Sequence, residues 1–411
     1  MANIGRNIKL FYIHEFFRSM IFHIPVWVSY ELQFITFSQL TFIEAFIFAF
    51  QIILELPTGA FADLVGRRSS IALGHFLEVI AVIIYGFSTN FSHFLIYAAL
   101  GGAAEALISG AKEALVYDSL KEMGKEKDFT KINGKLGVIF QFGIAAATLI
   151  GGVLAKIDLR IPIFLYAVAH LASAIISSLY VEPSIDSEKF TLSSYINQTK
   201  QGVKEILKNA HIKQVSLFYI FVGAISWSCM MVFNTTVLVQ IGYSEFEVGV
   251  AYATIRIINS VLLFKILCNE SLFTRSRIYY FFPALLMFSL LPGYWMSKSM
   301  AVIFVAGSML ASSARWAILS KYTNDEFSSK NRATAISTLS MAIGMLCILI
   351  IAASGPLVEW AGSSGIVFTL LGIVAAITVL PLGTVLARQH VLYQHAKAKG
   401  NLAIAVDELQ V

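Results

Sequence analysis

Long blocks of apolar residues, separated by short polar segments, run along almost the whole chain. Each block approaches the roughly 20 residues that a helix needs to cross the hydrocarbon of a bilayer. The short alternating segments that build a lipid-facing β-barrel do not appear in the sequence. The pattern predicts twelve membrane-spanning helices, at about 8–30, 36–56, 69–88, 91–111, 134–156, 161–181, 213–240, 246–268, 277–296, 299–320, 333–353 and 364–387.

The composition agrees with this pattern. The chain of 411 residues is 57% hydrophobic and 13% charged, with a mean hydropathy of +0.74. Soluble domains carry roughly a quarter charged residues. A net charge of +5 could suggest a nucleic-acid partner, but the basic residues lie in loops between the predicted spans, where membrane topology explains them. We therefore expect an all-α polytopic protein whose partner is the lipid bilayer and not nucleic acid.

The positions of lysine and arginine predict the orientation in the membrane. Most of the 30 Lys and Arg residues lie on the side of the two termini, whereas the opposite side has only Lys156, Arg160 and Lys298. Loops that stay in the cytoplasm are the ones enriched in these residues. Both termini are therefore predicted to be cytoplasmic, in a multi-pass protein of the cell (inner) membrane.

The longest polar stretch divides the predicted spans into six plus six. The domains expected are a six-helix bundle at 1–182, a cytoplasmic linker at 183–212, a second six-helix bundle at 213–387 and a cytoplasmic tail at 388–411. Weak internal symmetry of this kind is typical of transporters.

The linker contains a segment with two different faces. Ile196, Val203 and Ile206 share one helical face, and Lys200 and Lys204 fall on another. This pattern favours an amphipathic helix on the inner leaflet, although a soluble linker with some helix is the alternative.

The segment after the second predicted span carries a recognisable pattern. Residues 59–68 read GAFADLVGRR. This resembles the loop between helices 2 and 3 of the major facilitator superfamily, whose pattern is Gly-x-x-x-Asp-x-x-Gly-Arg-Arg/Lys. Segments 55–59 and 109–118 look like a bacterial drug-exporter-like branch of that family. The resemblance implies twelve helices in two pseudo-symmetric bundles that work by alternating access.

In this family the loop latches the cytoplasmic ends of the two halves together and stabilises the outward-facing state. The resemblance therefore implies a conformational latch, whereas an anchor for topology alone is the alternative. The latch residues are Gly59, Asp63, Gly66, Arg67 and Arg68. The corresponding loop of the second half, 269–275, keeps an acid and a base but not the glycines, so we expect an asymmetric latch.

The fifth predicted span resembles a helix-packing motif of family members that export by antiport, Gly-x8-Gly-x3-Gly-Pro-x-x-Gly-Gly. This chain has Ala147 and Thr148 where Gly-Pro is expected. The positions that match are Gly134, Gly143, Gly151 and Gly152. In the fourth span, Ala98 stands where exporters often carry an arginine, so proton coupling has to use other groups.

Charged residues inside predicted spans normally face a bundle interior or a wet cavity. Helices 1, 4, 7 and 10 line the central cavity in this superfamily, so the resemblance implies that charges on these helices surround one polar chamber. The candidate proton and substrate site is Glu15, Arg18, Glu105, Ser109, Arg256 and Arg315. A static ion-pair network is the alternative. In the third span, His75 and Glu78 are three residues apart, which favours a structural pair.

These features favour a secondary transporter for a small-molecule substrate, namely a proton-coupled exporter of a small amphipathic or drug-like solute. The alternatives are an uptake carrier for a nutrient, metabolite or siderophore, and a membrane receptor or scaffold that does not transport. Segment 14–18 reads HEFFR and falls one residue short of the zinc pattern His-Glu-x-x-His, because arginine cannot ligate zinc. We therefore expect no enzyme activity, no metal, no cofactor and a monomer.

Overall fold

The computed structural model describes residues 4–184, 192–268, 274–328 and 331–398. All regular structure within these ranges is helical. Among the described residues, eleven helical segments are long and apolar enough to cross a membrane. The predicted all-α polytopic architecture is confirmed.

Eight helices run up to and through the linker. They are α1 (Arg6–Arg18), α2 (Trp27–Glu31), α3 (Phe37–Val65), α4 (Arg67–Gly86), α5 (Phe91–Glu122), α6 (Phe129–Leu154), α7 (Arg160–Ser178) and α8 (Leu192–Ile206). The helices that follow the linker are α9 (Ala210–Ser228), α10 (Asn234–Gln240), α11 (Glu245–Cys268), α12 (Arg275–Leu290), α13 (Lys298–Ala314), α14 (Ser320–Asp325), α15 (Arg332–Ala361), α16 (Gly365–Val374) and α17 (Leu380–Ala398).

The first predicted span is not one continuous helix, which corrects the sequence prediction. Helix α1 ends at Arg18, and α2 begins only at Trp27. Pro25 lies between them and has no N–H to donate to a helical turn. The hydroxyl of Ser19 instead donates to the carbonyl of Phe16 at 2.7 Å, where the helix ends. The Ser19 side chain is fully buried, which fits the rule that non-helical backbone at membrane depth has to be enclosed by protein.

The corner between α3 and α4 is tighter than predicted. Helix α3 continues to Val65, so the segment from Gly59 onward is helical where the sequence suggested a loop. The turn is reduced to Gly66, whose φ of 95° lies in the region that favours glycine. The next residue, Arg67, already begins α4. The two helices are therefore joined by a single residue.

Three spans contain one π-helical turn each, at Cys229–Phe233, Arg315–Leu319 and Ala375–Val379. Such turns insert an extra residue into an α-helix and frequently occur at functional sites. Arg315, one of the predicted cavity residues, is the first residue of the second π-helical turn.

The chain forms two compact units. The first comprises Met1–Leu192 and Tyr243–Ile257, and the second comprises Ser193–Gly242 and Ile258–Val411. In the first unit, a buried cluster that includes Phe11, Ile71, Leu115 and Tyr180 joins α1, α4 and α5 to the segment after α7.

The second unit has an aromatic core and carries the linker helix. The rings of Phe218 and Tyr279 lie 5.3 Å apart in an edge-to-face arrangement. Helix α8 packs closely on α15, since a Cβ at Gly202 would approach the Thr334 carbonyl oxygen to 3.0 Å. The amide of Asn331 donates to the Glu205 carboxylate at 3.0 Å beside this contact.

Candidate transport site

Four charged side chains from α1 and α5 form one connected group in the first unit, which we call the inner charge cluster: Glu15, Arg18, Glu105 and Lys112. The Lys112 ammonium donates to Glu15 Oε2 at 2.8 Å, and Arg18 Nη1 donates to Glu15 Oε1 at 3.3 Å. Arg18 Nη2 reaches the second carboxylate, at Glu105 Oε1, over 3.4 Å. The cluster has two acids and two bases, so its formal charges cancel.

The two carboxylates of the cluster have different surroundings. The Glu15 side chain is only 6% exposed and binds both cations, whereas the Glu105 side chain is 39% exposed and binds Arg18 alone. The Arg18 guanidinium also lies 5.8 Å from the centre of the Phe140 ring on α6. Glu105 is therefore the carboxylate that water or a solute can reach.

Sequence reasoning placed Glu15, Arg18 and Glu105 together but missed Lys112, which it counted as a residue of the cytoplasmic side. Helix α5 continues to Glu122, so Lys112 is still helical and follows Glu105 by two turns on the same face. The predicted fourth span ends at residue 111, so the apolar pattern gave no sign that the helix continues past Lys112. Ser109 does not join the cluster, because its hydroxyl is buried without a hydrogen-bond partner among the described residues.

Arg256 of α11 lies within the first unit, apart from the charge cluster. Its Nη1 donates to Gln141 Oε1 on α6 at 3.1 Å, while its Nε has no partner in the described part of the chain. Arg256 therefore ties α11 to α6, and no described hydrogen bond or ion pair joins it to the cluster.

Arg315 belongs to the second unit. Its Nη1 donates to the Tyr219 hydroxyl at 3.3 Å, and its guanidinium lies 4.2 Å from the centre of the neighbouring Trp316 ring. Arg315 is almost fully buried, and its Nε has no hydrogen-bond partner within the described ranges. The predicted chamber shared by Arg315 and the charges of α1 stays a prediction.

Three glycines of the fifth-span motif lie where another part of the chain comes close to α6. A Cβ at Gly143 would collide with Ser19, and one at Gly151 would collide with the carbonyl of Phe22. A Cβ at Gly152 would lie 3.2 Å from the Cα of Gly249 on α11. In contrast, a Cβ at Gly134 would meet nothing within 4 Å, so close packing does not require glycine there.

The corner between α3 and α4 is held by two acids that sequence reasoning did not assign to the latch. Arg67 forms a salt bridge with Asp118 near the end of α5. The Glu182 carboxylate accepts hydrogen bonds from the backbone amides of Arg67 at 2.7 Å and Arg68 at 2.9 Å. A carboxylate at the N-terminus of a helix interacts favourably with the helix dipole.

The second unit has its own charged group at the start of α12. Arg275 pairs with Glu326, and the His211 Nε2 lies 3.3 Å from the same carboxylate. Burial by itself would raise the pKa of Glu326, but the hydrogen bond with His211 and the charge of Arg275 outweigh burial and lower the pKa. The acid expected in the corresponding loop, at 269–273, lies outside the described residues.

The predicted pair of His75 and Glu78 is wrong. His75 Nε2 lies 2.7 Å from His14 Nε2, and its Nδ1 lies 3.1 Å from His170 Nδ1, so both ring nitrogens are already engaged. His14 Nε2 therefore contacts another histidine. Among the described residues, no group of three or more His, Cys, Asp and Glu has an arrangement suited to a metal ion.

Comparison with known proteins supports the resemblance. The family model of the Major Facilitator Superfamily matches residues 12–291. Multidrug resistance protein 2 of Bacillus subtilis is 25% identical over 256 residues, which are 60% of this chain and 62% of that protein. Quinolone resistance protein NorA of Staphylococcus aureus is 22% identical over 267 residues, which are 63% of this chain and 67% of that protein. The match thus spans less than two thirds of the first of these relatives.

Solved structures share the fold over nearly the whole chain. The nucleoside transporter NupG superposes with a TM-score of 0.73 at 13% identity, covering 93% of this chain and 98% of that one. A bacterial homologue of the human lysosomal transporter Spinster, inward-facing and unoccupied, gives a TM-score of 0.69 at 14% identity, covering 94% and 96%. The chain therefore belongs to the major facilitator superfamily, whose members are membrane transporters and not enzymes.

Proposed function

We propose that this protein exports a small amphipathic, drug-like solute across the inner membrane in exchange for protons, by alternating access. The observation that carries the proposal is the inner charge cluster, in which one exposed and one buried carboxylate share Arg18. Charges inside a membrane protein are expensive and mark substrate or proton pathways.

The two carboxylates suit different tasks. Glu15 is buried between Lys112 and Arg18, so a proton arriving there would have to displace two cations. Glu105 is opposed by Arg18 alone and is partly exposed. We therefore assign proton binding to Glu105 and the fixed counter-charge to Glu15.

Charge balance gives a reason for exchange. With both acids ionised, the cluster is neutral. A proton on Glu105 gives the cluster a net charge of one positive unit and weakens the ion pair between Arg18 and Glu105. A solute that binds beside the ionised Glu105 competes with that proton. A carrier that cannot hold both at once exchanges one for the other as its cavity alternates between the two sides of the membrane.

The names of the relatives support the direction and the type of solute. Two of them are named for resistance to multiple drugs and to quinolones, which is what exporters of drug-like solutes confer. The chain contains 32 Phe, 16 Tyr and 11 Met residues, and a cavity that such aromatic and polarisable side chains line suits an amphipathic solute better than a sugar.

A proteoliposome assay tests the coupling. Purified protein is reconstituted with an imposed pH gradient, and ethidium is the probe solute. Ethidium movement driven by the gradient should be lost in Glu105→Gln, whereas ethidium exchange without a gradient should continue. The matched control is Glu113→Gln, an exposed acid on the same helix. Equal gradient-driven transport in Glu105→Gln and the unaltered protein would contradict the proposed role of Glu105.

An assay in intact cells tests the direction of transport. Expression of the unaltered protein should lower ethidium accumulation and raise tolerance to it, and Glu105→Gln should abolish both effects. Higher accumulation on expression would instead identify an uptake carrier.

A further inference from the structure

Three buried histidines form a continuous hydrogen-bonded row across the first unit. His14 on α1 meets His75 on α4 through the two Nε2 atoms at 2.7 Å, and His75 meets His170 on α7 through the two Nδ1 atoms at 3.1 Å. The side chains are 1%, 0% and 4% exposed. We call this row the histidine chain. The inner charge cluster does not include it, although His14 precedes Glu15 directly.

The three histidines lie at one level of the bundle. Each is about 12 Å along its helix from the end that is predicted to be cytoplasmic, at 1.5 Å per residue. The chain therefore runs sideways, from α1 through α4 to α7. It begins on the helix that carries Glu15 and Arg18 and ends on α7.

Each contact in the chain joins two ring nitrogens, so one nitrogen has to donate and the other has to accept. A neutral imidazole has one N–H and one bare nitrogen. Because His75 uses both nitrogens, its tautomer fixes the tautomers of its neighbours. Two arrangements satisfy both hydrogen bonds: all donors point toward His14, or all point toward His170.

Buried polar atoms without partners lie at both ends of the chain. At the first end, the ring of His14 lies 5.9 Å from that of Tyr180, whose hydroxyl has no hydrogen-bond partner among the described residues. At the other end, the ring of Tyr166 lies 4.4 Å from both His170 and His23. The Nδ1 of His23 also has no partner within the described ranges. The Tyr180 ring thus lies beside the His14 end, and the Tyr166 ring lies between the His170 end and His23.

We propose that the histidine chain carries protons between the α1 side and the α7 side of the first unit, as part of the proton coupling proposed above. A proton binds the bare Nε2 of His170, and the Nδ1 proton of His170 passes to Nδ1 of His75. The Nε2 proton of His75 then passes to Nε2 of His14, and His14 releases its Nδ1 proton. One proton enters, one leaves, and every ring ends neutral in the other tautomer with both hydrogen bonds intact.

The surroundings of the chain favour this transfer over a resident charge. The charged and titratable groups that act on its rings are Arg18 on α1, Lys112 on α5 and His23 in the segment between α1 and α2, and the rings of Tyr180 and Tyr166 lie beside its two ends. A lasting positive charge on a buried ring would be repelled by Arg18 and Lys112. A reversal of the tautomers leaves no charge on any ring.

A brace that only holds three helices together is the competing explanation, and His75→Gln separates the two. A glutamine amide both donates and accepts, so it can hold α1 and α7, but it cannot pass a proton through itself. Proteoliposomes with a trapped pH dye report protons moved per ethidium transported. We expect His75→Gln to lower this ratio about 100-fold or more, because a positioned proton-transfer group contributes about 10²–10⁴-fold, while ethidium exchange without a gradient continues.

The control is His93→Gln, a histidine near the start of α5 that lies outside the chain and should leave the ratio unchanged. An unchanged ratio in His75→Gln would overturn the histidine chain and leave the proposed exchange intact. Transport without proton movement in the unaltered protein would overturn both.

A second measurement covers the case in which His75→Gln does not fold. Nitrogen-15 NMR of the histidines in the unaltered protein near neutral pH should show one N–H on each chain imidazole. A chain imidazole that carries protons on both nitrogens would overturn the proposal. Such a ring can only donate hydrogen bonds and has no bare nitrogen that could accept the next proton.

Discussion

At the scale of single residues, Lys112 determines whether Glu15 can stay ionised inside the bundle. Its ammonium binds Glu15 Oε2 at 2.8 Å, and only Arg18 would remain after Lys112→Met. Removing one partner from a buried ion pair costs about 3–5 kcal/mol. We expect a loss of about 3 kcal/mol, measured as unfolding of the protein in detergent.

The double variant Glu15→Gln with Lys112→Met separates charge from packing. It removes the unpaired carboxylate and should recover most of the lost stability, whereas Glu113→Gln at an exposed position should change stability by less than about 0.5 kcal/mol. A Lys112→Met protein as stable as the unaltered one would show that Arg18 alone suffices for Glu15.

The pKa of Glu326 gives a stability effect with a defined sign. Burial opposes ionisation, but the His211 hydrogen bond and the Arg275 charge lower the pKa from 4.5. An acid whose pKa is lower in the folded state stabilises the fold above its ordinary pKa, and this contribution is lost as the pH falls. Glu326→Gln should therefore reduce stability near pH 7 and reduce it less below about pH 4.5.

Thermal unfolding from pH 7 down to about pH 3 measures this difference, because the contribution of Glu326 is lost only as the pH falls below 4.5 toward its lowered pKa. Glu126→Gln, an exposed acid, is the control and should follow the unaltered protein at every pH. Parallel curves for Glu326→Gln and the unaltered protein would contradict the role assigned to the Arg275 pair.

Residue types and depth marked Glu15, Arg18 and Glu105 as candidates, because each is a charge within an apolar block. Their grouping into one site came from the family resemblance, in which the first and fourth spans line one cavity. The histidine chain could not be predicted in the same way. Its members are 61 and 95 residues apart on three helices, and only the packing of α1, α4 and α7 brings them together.

At the scale of helices, the glycines of α6 divide into two kinds. Gly151 lies against the carbonyl of Phe22, so Gly151→Ala forces α6 away from the segment between α1 and α2. Overpacking of this kind costs about 1–3 kcal/mol. At Gly134 a methyl group meets nothing within 4 Å. Gly134→Ala should instead stabilise the helix by about 0.5–1 kcal/mol, because alanine loses less backbone entropy than glycine.

Thermal unfolding of the two variants in detergent, together with ethidium transport, checks this contrast. The same substitution on one helix should act in opposite directions. Equal effects would show that the close approach at Gly151 adds nothing to the stability of the fold.

The lengths of apolar blocks predicted most spans, since crossing the hydrocarbon sets a minimum length. They did not predict the break between Arg18 and Trp27 or the three π-helical turns. Both depend on hydrogen bonds of buried backbone, such as the one from Ser19 to Phe16, that hydropathy does not register. The π-helical turn at Arg315 lies directly at a predicted cavity residue.

At the scale of the whole molecule, the short pattern at 59–68 identified the superfamily, and its residues Gly66 and Arg67 form the corner between α3 and α4. The sequence did not reveal that Asp118 and Glu182 hold this corner. They lie 51 and 115 residues from Arg67 and meet it only when α4, α5 and the end of α7 pack together.

The latch prediction concerns the balance between the two states of the transporter. Arg67 is paired with Asp118, and both side chains are largely buried. Asp118→Asn removes a charge-assisted hydrogen bond, which contributes about 1.5–3 kcal/mol. If the corner stabilises the outward-facing state, as the family resemblance implies, the population should shift about tenfold or more toward the inward-facing state.

Pulsed electron spin resonance between spin labels on the cytoplasmic ends of the two halves measures this shift. The label distances in Asp118→Asn should move to the longer, inward-open population, while Asp128→Asn, an exposed acid, should match the unaltered protein. Asp118 and Arg67 lie in the same unit, so their contact is not itself a contact between the two halves. A distance distribution unchanged by Asp118→Asn would therefore assign Arg67 to holding α4 and α5 together, and leave the balance between states to other contacts.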